Sequence, residues 1–284
     1  MENDEYEENC EPPSPKLLRL VKQEGWEIKP HQEEVELINL GDDREEKMVK
    51  IRGDLFPEMR QQLYALLKEF KDNFAWSYKY MPSLDPKIVQ HRLPLKPECH
   101  PIKQRLRRMK PEVSLKIKEE VEKQFNAGFL AMAQYPQWVA NVVPVPKKDG
   151  NDQMCVDYRD LNRASLKDDF PLPHIDTLVD NIATSWLYLF MDGFSIYKQI
   201  KMAPEDMEKT TFITLWGIFC YKVMSFGLKN ASATYQRAMV TLFHDMMNKV
   251  DDLIAKSASE EKHLVNLKML FERLRNIKTQ IEFV

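Results

Sequence analysis

Cysteine and histidine are scarce and scattered in these 284 residues. Cys10, Cys99, Cys155 and Cys220 form no CxxC pair, and His31, His91, His100, His174, His244 and His263 show no HxxxH or HExxH spacing. This excludes a zinc knuckle and argues against a structural zinc site or a disulfide framework, so reduced, structural thiols are expected. Long apolar runs are also missing: none approaches the roughly 20 residues that span a bilayer, and no membrane partner is expected. The opening MENDEYEENCEPPSPKLLRL is acidic and proline-bearing, unlike a signal or transit peptide, which points to an intracellular protein, nuclear or cytosolic. With 43% apolar and 30% charged residues the chain is globular rather than disordered, and its length allows one large domain with a tail or two ordinary ones. No internal repeat and no motif that sets an oligomeric state is present.

The net charge of −3 conceals an asymmetry. Residues 1–50 carry 15 Asp/Glu against 7 Lys/Arg, a net −8, which leaves +5 on residues 51–284. The basic excess peaks at 96–118, where Lys96, Lys103, Arg105, Arg107, Arg108, Lys110, Lys116 and Lys118 face only Glu98 and Glu112. A field of that sign suits a phosphate backbone. It equally suits an ordinary solvated surface, the commoner fate of such a run.

Few large apolar residues recur with any period in 1–50, which reads as a flexible lead-in. Apolar spacing predicts a helix over Pro57–Phe70 and another over Pro111–Asn126, the latter with proline in its first turn and Gly128 just past its end. Between them, the prolines of 82–101 dictate an extended connection. Strands are expected over Trp138–Pro146 and Met154–Tyr158 around the turn 147–151, over Leu187–Met191 ending at Asp192, and over Thr210–Thr214 and Phe219–Val223 around Trp216-Gly217. Pro173–Ile182 suggests a helix, and Ala231–Asn248 a long amphipathic one. A final helix follows Ser257-x-x-Glu260, which has the form of a capping box. Helices interleaved with short antiparallel strands indicate an α+β fold.

Asp192, at the exposed end of an apolar strand, is placed as a metal-binding carboxylate would be, although an aspartate there is more often a turn or cap residue. Around it the segments WVANVVPVPKKDG, CVDYRDLN, DDFPLPHIDTLVD, FMDGFSIYKQI, MAPEDMEKTTFIT, GLKNASATYQRAM and DDLIAKS occur in order. Together they resemble the reverse transcriptase of gypsy-type long-terminal-repeat retrotransposons over roughly residues 35–280. The resemblance implies the fingers and palm of a right-hand polymerase at 127–284, with the thumb absent and the third-motif hairpin truncated. It makes 51–126 a protease-to-polymerase linker with a basic helical approach, after the acidic lead-in 1–50. It implies RNA-directed DNA synthesis by two Mg²⁺ ions, with dNTPs and a primed RNA or DNA template as partners. Asp192 and Asp251 match the metal ligands, and Asp252 completes the catalytic aspartates. Lys147, Gly193, Phe194, Tyr197, Phe226 and Gly227 match the nucleotide pocket, Tyr197 as the ring that excludes a 2′-hydroxyl. Gln236 matches a residue near the template.

Several positions depart from that pattern. Lys249 stands where the third motif has an aromatic residue, and about five residues of the hairpin's first arm are missing, roughly 16 Å of strand. Asp251 is then expected to reach Asp192 only if the end of the preceding helix unwinds, stripping Met246 and Met247 of helical packing. Gln153 replaces an arginine that clamps the triphosphate, Ile196 replaces a glycine before Tyr197, and Ser225 and Leu215 replace prolines. No protease, RNase H or integrase signature is present. The expectation is a polymerase copy that works poorly, or a nucleic-acid-binding or functionless remnant of one.

Overall fold

The computed structural model describes residues 35–42, 45–76, 81, 83–146, 152–171, 180, 185, 187–192, 194–246, 250–251, 254–257, 259–277 and 281–283; of these, 152, 190–192, 194–196, 250–251 and 282–283 are described in backbone only. The expected helix at Pro173–Ile182 falls almost wholly outside this set.

Chain order begins with an antiparallel pair, β1 (Val35–Asn39) and β2 (Met48–Arg52), so structure starts inside the expected lead-in. Leu40 beside it is fully buried. Helix α1 (Pro57–Glu69) buries Met59, Leu63, Leu66 and Leu67, the stripe its spacing predicts. Helix α2 (Pro111–Asn126) has the predicted bounds because proline starts it, where a missing N–H costs nothing, and Gly128 at φ +78° turns the chain out after it.

A five-stranded mixed sheet follows in the order β3-β8-β7-β4-β5. It comprises β3 (Leu130–Met132), β4 (Ala140–Pro146), β5 (Asp152–Val156), β7 (Phe212–Thr214) and β8 (Gly217–Tyr221). Its turn falls at Leu215–Trp216, one residue before the expected Trp216-Gly217, because Thr214 pairs directly with Gly217. Short helix α3 (Arg159–Ala164) leads to the second sheet, which has four strands in the order β11-β6-β10-β9. These are β6 (Leu187–Asp192), β9 (Val250–Asp251), β10 (Ile254–Ser257) and β11 (Glu282–Phe283). Helices α4 (Phe194–Gln199), α5 (Ala231–Phe243) and α6 (Glu260–Asn276) complete the described body, an α+β fold as expected.

Two expectations fail here for tertiary reasons. Helix α5 ends at Phe243 and tightens into a 3₁₀ turn, His244–Met246, instead of running to Asn248. Met246 keeps its burial at 3% exposure, so this part of the expected unwinding cost does not arise. The capping box does not form either: Ser257 is the last residue of β10, and Ser259 is the N-cap, without a side-chain cap bond. Ser257 Oγ instead donates to the Lys256 carbonyl and accepts from Asn266 Nδ2 at 2.9 Å.

His91 joins the 82–101 connection to the core. It is fully buried, with Nδ1 2.8 Å from Thr234 Oγ1 and Nε2 lacking a hydrogen-bond partner. Burial drives its pKa down to about 4, against the opposing pull of Asp206 and Asp168. Burial also brings His263 down to about 4. Both folded values lie below the unfolded one, so the unfolded chain takes up protons first as pH falls. Stability is complete above about pH 6.5 and is lost between there and about pH 4, by up to about 3 kcal/mol per histidine. Urea denaturation at pH 7.5 and 4.5 checks this, and His91→Gln is expected to shrink the difference. An unchanged difference in that variant would show that His91 contributes nothing to acid sensitivity.

Candidate active site

Strand β6 is an inner strand, paired with β10 on one side and β11 on the other, and Asp192 is its last residue. Strand β10 pairs with the Leu187–Phe190 part of β6 and β11 with Met191 and Asp192, so the end of the strand is held by β11 more firmly than in a loop. Helix α4 starts two residues later, carrying Phe194 and Tyr197. Gly193, Asp252 and Lys147 lie outside the described residues.

The third motif does form a hairpin. Asp251 pairs with Ile254 and Val250 with Ala255, leaving two residues for the turn, while Ile254 pairs with Phe190. Among the described residues the first arm is Val250–Asp251. This register puts Asp251 on the far strand, two strands across from β6 and level with Phe190, two residues short of Asp192. At about 4.8 Å per strand and 3.3 Å per residue, the Cα atoms of Asp192 and Asp251 stand about 12 Å apart. Directly opposite Asp192 on β11 is Glu282, where paired Cα atoms are about 4.5–5.5 Å apart. Sequence reasoning missed Glu282 because strand pairing, not chain proximity, brings it there.

The rings of the expected nucleotide pocket do meet. Tyr197 stacks on Phe226 at 4.9 Å and 20°, and on Tyr235 of α5 at 5.0 Å and 18°. Phe226 is 41% exposed. Gly227 after it has φ +84°, a conformation side chains rarely adopt. Asn162 of α3 fixes this turn, donating to the Gly227 carbonyl at 2.7 Å and accepting from the Lys229 N–H at 2.8 Å. Sequence reasoning did not single out Asn162, because its bracing role joins segments 65 residues apart. Gln236 lies on α5 one residue after Tyr235, half-buried. Of the departures, Leu215 is 63% exposed at its turn, Ser225 is buried, and Gln153 pairs with Val145 on β4.

The basic approach is anchored. Buried Asn141 on β4 accepts from the Arg107 N–H at 2.9 Å and donates to the Arg105 carbonyl at 2.8 Å, and its N–H donates to Gln104 Oε1 at 3.1 Å. The segment therefore lies along β4 and lines an open cleft of about 450 Å³ with Arg105, Arg107, Arg159 and Arg163. At its base Asp157 accepts from Arg159 at 2.8 and 2.7 Å, with Arg107 at 3.5 Å. The Arg159 hydrogen bond holds the Asp157 carboxyl below its usual range. Among the described residues no group of three His, Cys, Asp or Glu side chains could hold a metal. No described helix is long and apolar enough to cross a membrane.

Known proteins resemble this chain in sequence and in fold. The family described as "Reverse transcriptase (RNA-dependent DNA polymerase)" matches residues 145–283. An RNA-directed DNA polymerase homolog of Oenothera berteroana is 34% identical over 128 residues, covering 42% of this chain and 90% of that protein. The retrovirus-related Pol polyprotein from transposon 297 of Drosophila melanogaster is 29% identical over 179 residues, 59% of this chain but only 17% of the polyprotein. This chain thus spans about a sixth of that relative's length. In fold it resembles prototype foamy virus protease-reverse transcriptase, with a TM-score of 0.72 at 18% identity over 81% of this chain and 31% of that one. A foamy viral protease-reverse transcriptase solved in complex with an RNA/DNA hybrid gives 0.67 at 17% identity, over 81% of this chain and 32% of that one. The two sheets are therefore those of a fingers-and-palm fold, and the chain belongs to the reverse transcriptase (RNA-directed DNA polymerase) family.

Proposed function

We propose that this chain is the polymerase part of a gypsy-type retrotransposon polyprotein, built for RNA-directed DNA synthesis and impaired in this copy. The observation that carries the reading is Asp192 at the end of an inner strand, two residues before the helix that bears Tyr197. Reverse transcriptases generally use divalent metals. Carboxylates are hard oxygen donors suited to Mg²⁺; Asp192 and the Asp251-Asp252 pair are the residues that would hold such ions, which would activate a primer 3′-hydroxyl and stabilise in-line transfer. The roughly 12 Å between the Asp192 and Asp251 backbones is the ground for calling this copy impaired. Gly193, Phe194, Tyr197, Phe226, Gly227 and Lys147 would bind the dNTP, with Gln236 toward the template. Primer extension on poly(rA)/oligo(dT) tests the reading. Magnesium-dependent product that Asp192→Asn removes supports it; product that survives this change overturns the role of Asp192.

The Asp192–Asp251 separation favours a second reading for present activity, a nucleic-acid-binding remnant. The arginine cleft supports it, because arginines whose backbone is fixed along β4 present guanidinium groups that suit a phosphate backbone. Titration of a labelled RNA–DNA duplex at several salt concentrations is expected to give a steep loss of affinity with salt. Arg105→Ala should lower that slope by about one counterion. A slope near zero removes the binding role.

A further inference from the structure

The hairpin β1–β2 leaves one edge of its sheet open. In its antiparallel register Asn39 pairs with Met48, and the next pair, Leu40 with Lys47, carries a backbone hydrogen bond of 2.8 Å from the Leu40 N–H. Hydrogen-bonded pairs alternate along an antiparallel ladder, so Glu36, Ile38 and Leu40 direct their N–H and C=O groups to β2. Val35, Leu37 and Asn39 direct theirs away from it. Among the described residues that outward row meets only the Tyr64 hydroxyl, 3.5 Å from the Asn39 carbonyl. The outer face of the hairpin is apolar where a solvated face is ordinarily polar: Val35 is 58%, Leu37 57% and Met48 45% exposed. Nothing in β1 blocks a further strand, since it holds no proline, lysine or bulge. Beneath it, an open cleft of about 500 Å³ lined by Ile38, Ile51, Leu55, Arg60 and Tyr64 keeps α1 from closing the edge.

We propose that the free edge of β1 is a docking surface for a second copy of this chain, joined β1 to β1 about a twofold axis at Leu37. The strand is self-complementary in that register, as a twofold contact requires. Leu37 faces Leu37 of the second copy, Val35 faces its Asn39 and Glu36 its Ile38. All five residues take part, and the outward groups of Val35, Leu37 and Asn39 bond in pairs. Centring the axis on Glu36 would set two carboxylates directly opposite each other, which is unfavourable, and centring it on Ile38 would engage three residues of β1 instead of five. Cations stay at the rims. Lys50 pairs with Leu37 within each hairpin, so the two Lys50 backbones stand three strand spacings apart. That is about 14 Å, beyond the screening length of about 10 Å at 0.1 M salt. A five-residue ladder buries less than the roughly 1,200 Å² of a firm interface, so the dimer is reversible and depends on concentration. The inference uses no residue of the polymerase site and stands without that reading.

Sedimentation equilibrium of the full chain over a range of concentrations, with hydrogen exchange on the same samples, tests it. The weight-average mass is expected to rise toward twice that of the chain as concentration increases. Over the same range the Val35, Leu37 and Asn39 amides should gain protection, while those of Ile38 and Leu40 are protected throughout by β2. Leu37→Pro should hold the chain monomeric, because the Leu37 N–H faces away from β2 and proline removes a docking bond without removing one from the hairpin. Leu37→Lys, which sets two cations face to face at the axis, should do the same and guards against a local effect of proline. Tyr135→Ser, at an 89% exposed ring outside the hairpin, should leave the association unchanged. A mass that stays that of one chain at every concentration overturns the proposal, as does association that survives both Leu37 changes or that Tyr135→Ser abolishes. Protection of the outward amides without a gain in mass also overturns it, and assigns the edge to a segment of the same chain.

Discussion

Inserting five apolar strand residues ahead of Lys249, together with Lys249→Tyr, is expected to raise magnesium-dependent primer extension by about a hundredfold or more over the unmodified chain. The expectation comes from the register of the second sheet. Strand β10 lies between β6 and β9, and the two-residue arm of β9 pairs with Ile254 and Ala255. Asp251 is thereby engaged in strand pairing, about 12 Å from Asp192 across the sheet. Two carboxylates that share a pair of ions 3.5–4 Å apart need backbones closer together than that span. Added apolar residues could take over the pairing with Ile254–Ser257 and release Asp251 to the turn. A misplacement of 1 Å already costs about a hundredfold in rate, which sets the scale of the recovery. Asp192→Asn in the lengthened chain should remove the product. If the unmodified chain extends primer as fast as the lengthened one, the short arm is no defect.

Phe271→Ala is expected to cost about 3–5 kcal/mol of folding stability, measured by chemical denaturation. Phe271 is fully buried on α6, with its ring 5.6 Å from Phe70 and 5.5 Å from Phe74. Its carbonyl accepts from the buried Asn73 Nδ2 at 2.7 Å. One ring therefore ties the helix after the palm hairpin to the first helix, nearly 200 residues earlier. Removing it leaves a cavity between aromatic walls that cannot collapse without moving both helices. A loss under about 1 kcal/mol would mean that the two ends of the chain fold independently.

Periodicity and punctuation made the separate elements legible. Pro111 and Gly128 bracket α2 because one lacks a donor that the first turn does not need and the other tolerates a left-handed exit. The apolar run before Asp192 reads as a strand, and it is one. Where two local signals compete, sequence reasoning loses. Ser257-x-x-Glu260 has the form of a capping box, but pairing of Ser257 with Leu187 keeps it in β10. Likewise, the apolar spacing of Ala231–Asn248 continues past Phe243, yet the chain must leave the helix early to supply Val250 and Asp251 to the sheet.

The sequence by itself determined the α+β class, the bounds of the main helices, the strand that ends at Asp192, and the family through its ordered motifs. All of these depend on residues near one another in the chain, whose spacing sets periodicity and turn chemistry. Only the tertiary structure decided that Glu282 pairs with Asp192 while Asp251 sits two strands away, and that Tyr197 stacks with both Phe226 and Tyr235. Register and ring stacking arise from which distant segments pair and pack. A one-residue slip changes every cross-strand neighbour without altering the local pattern that a sequence displays.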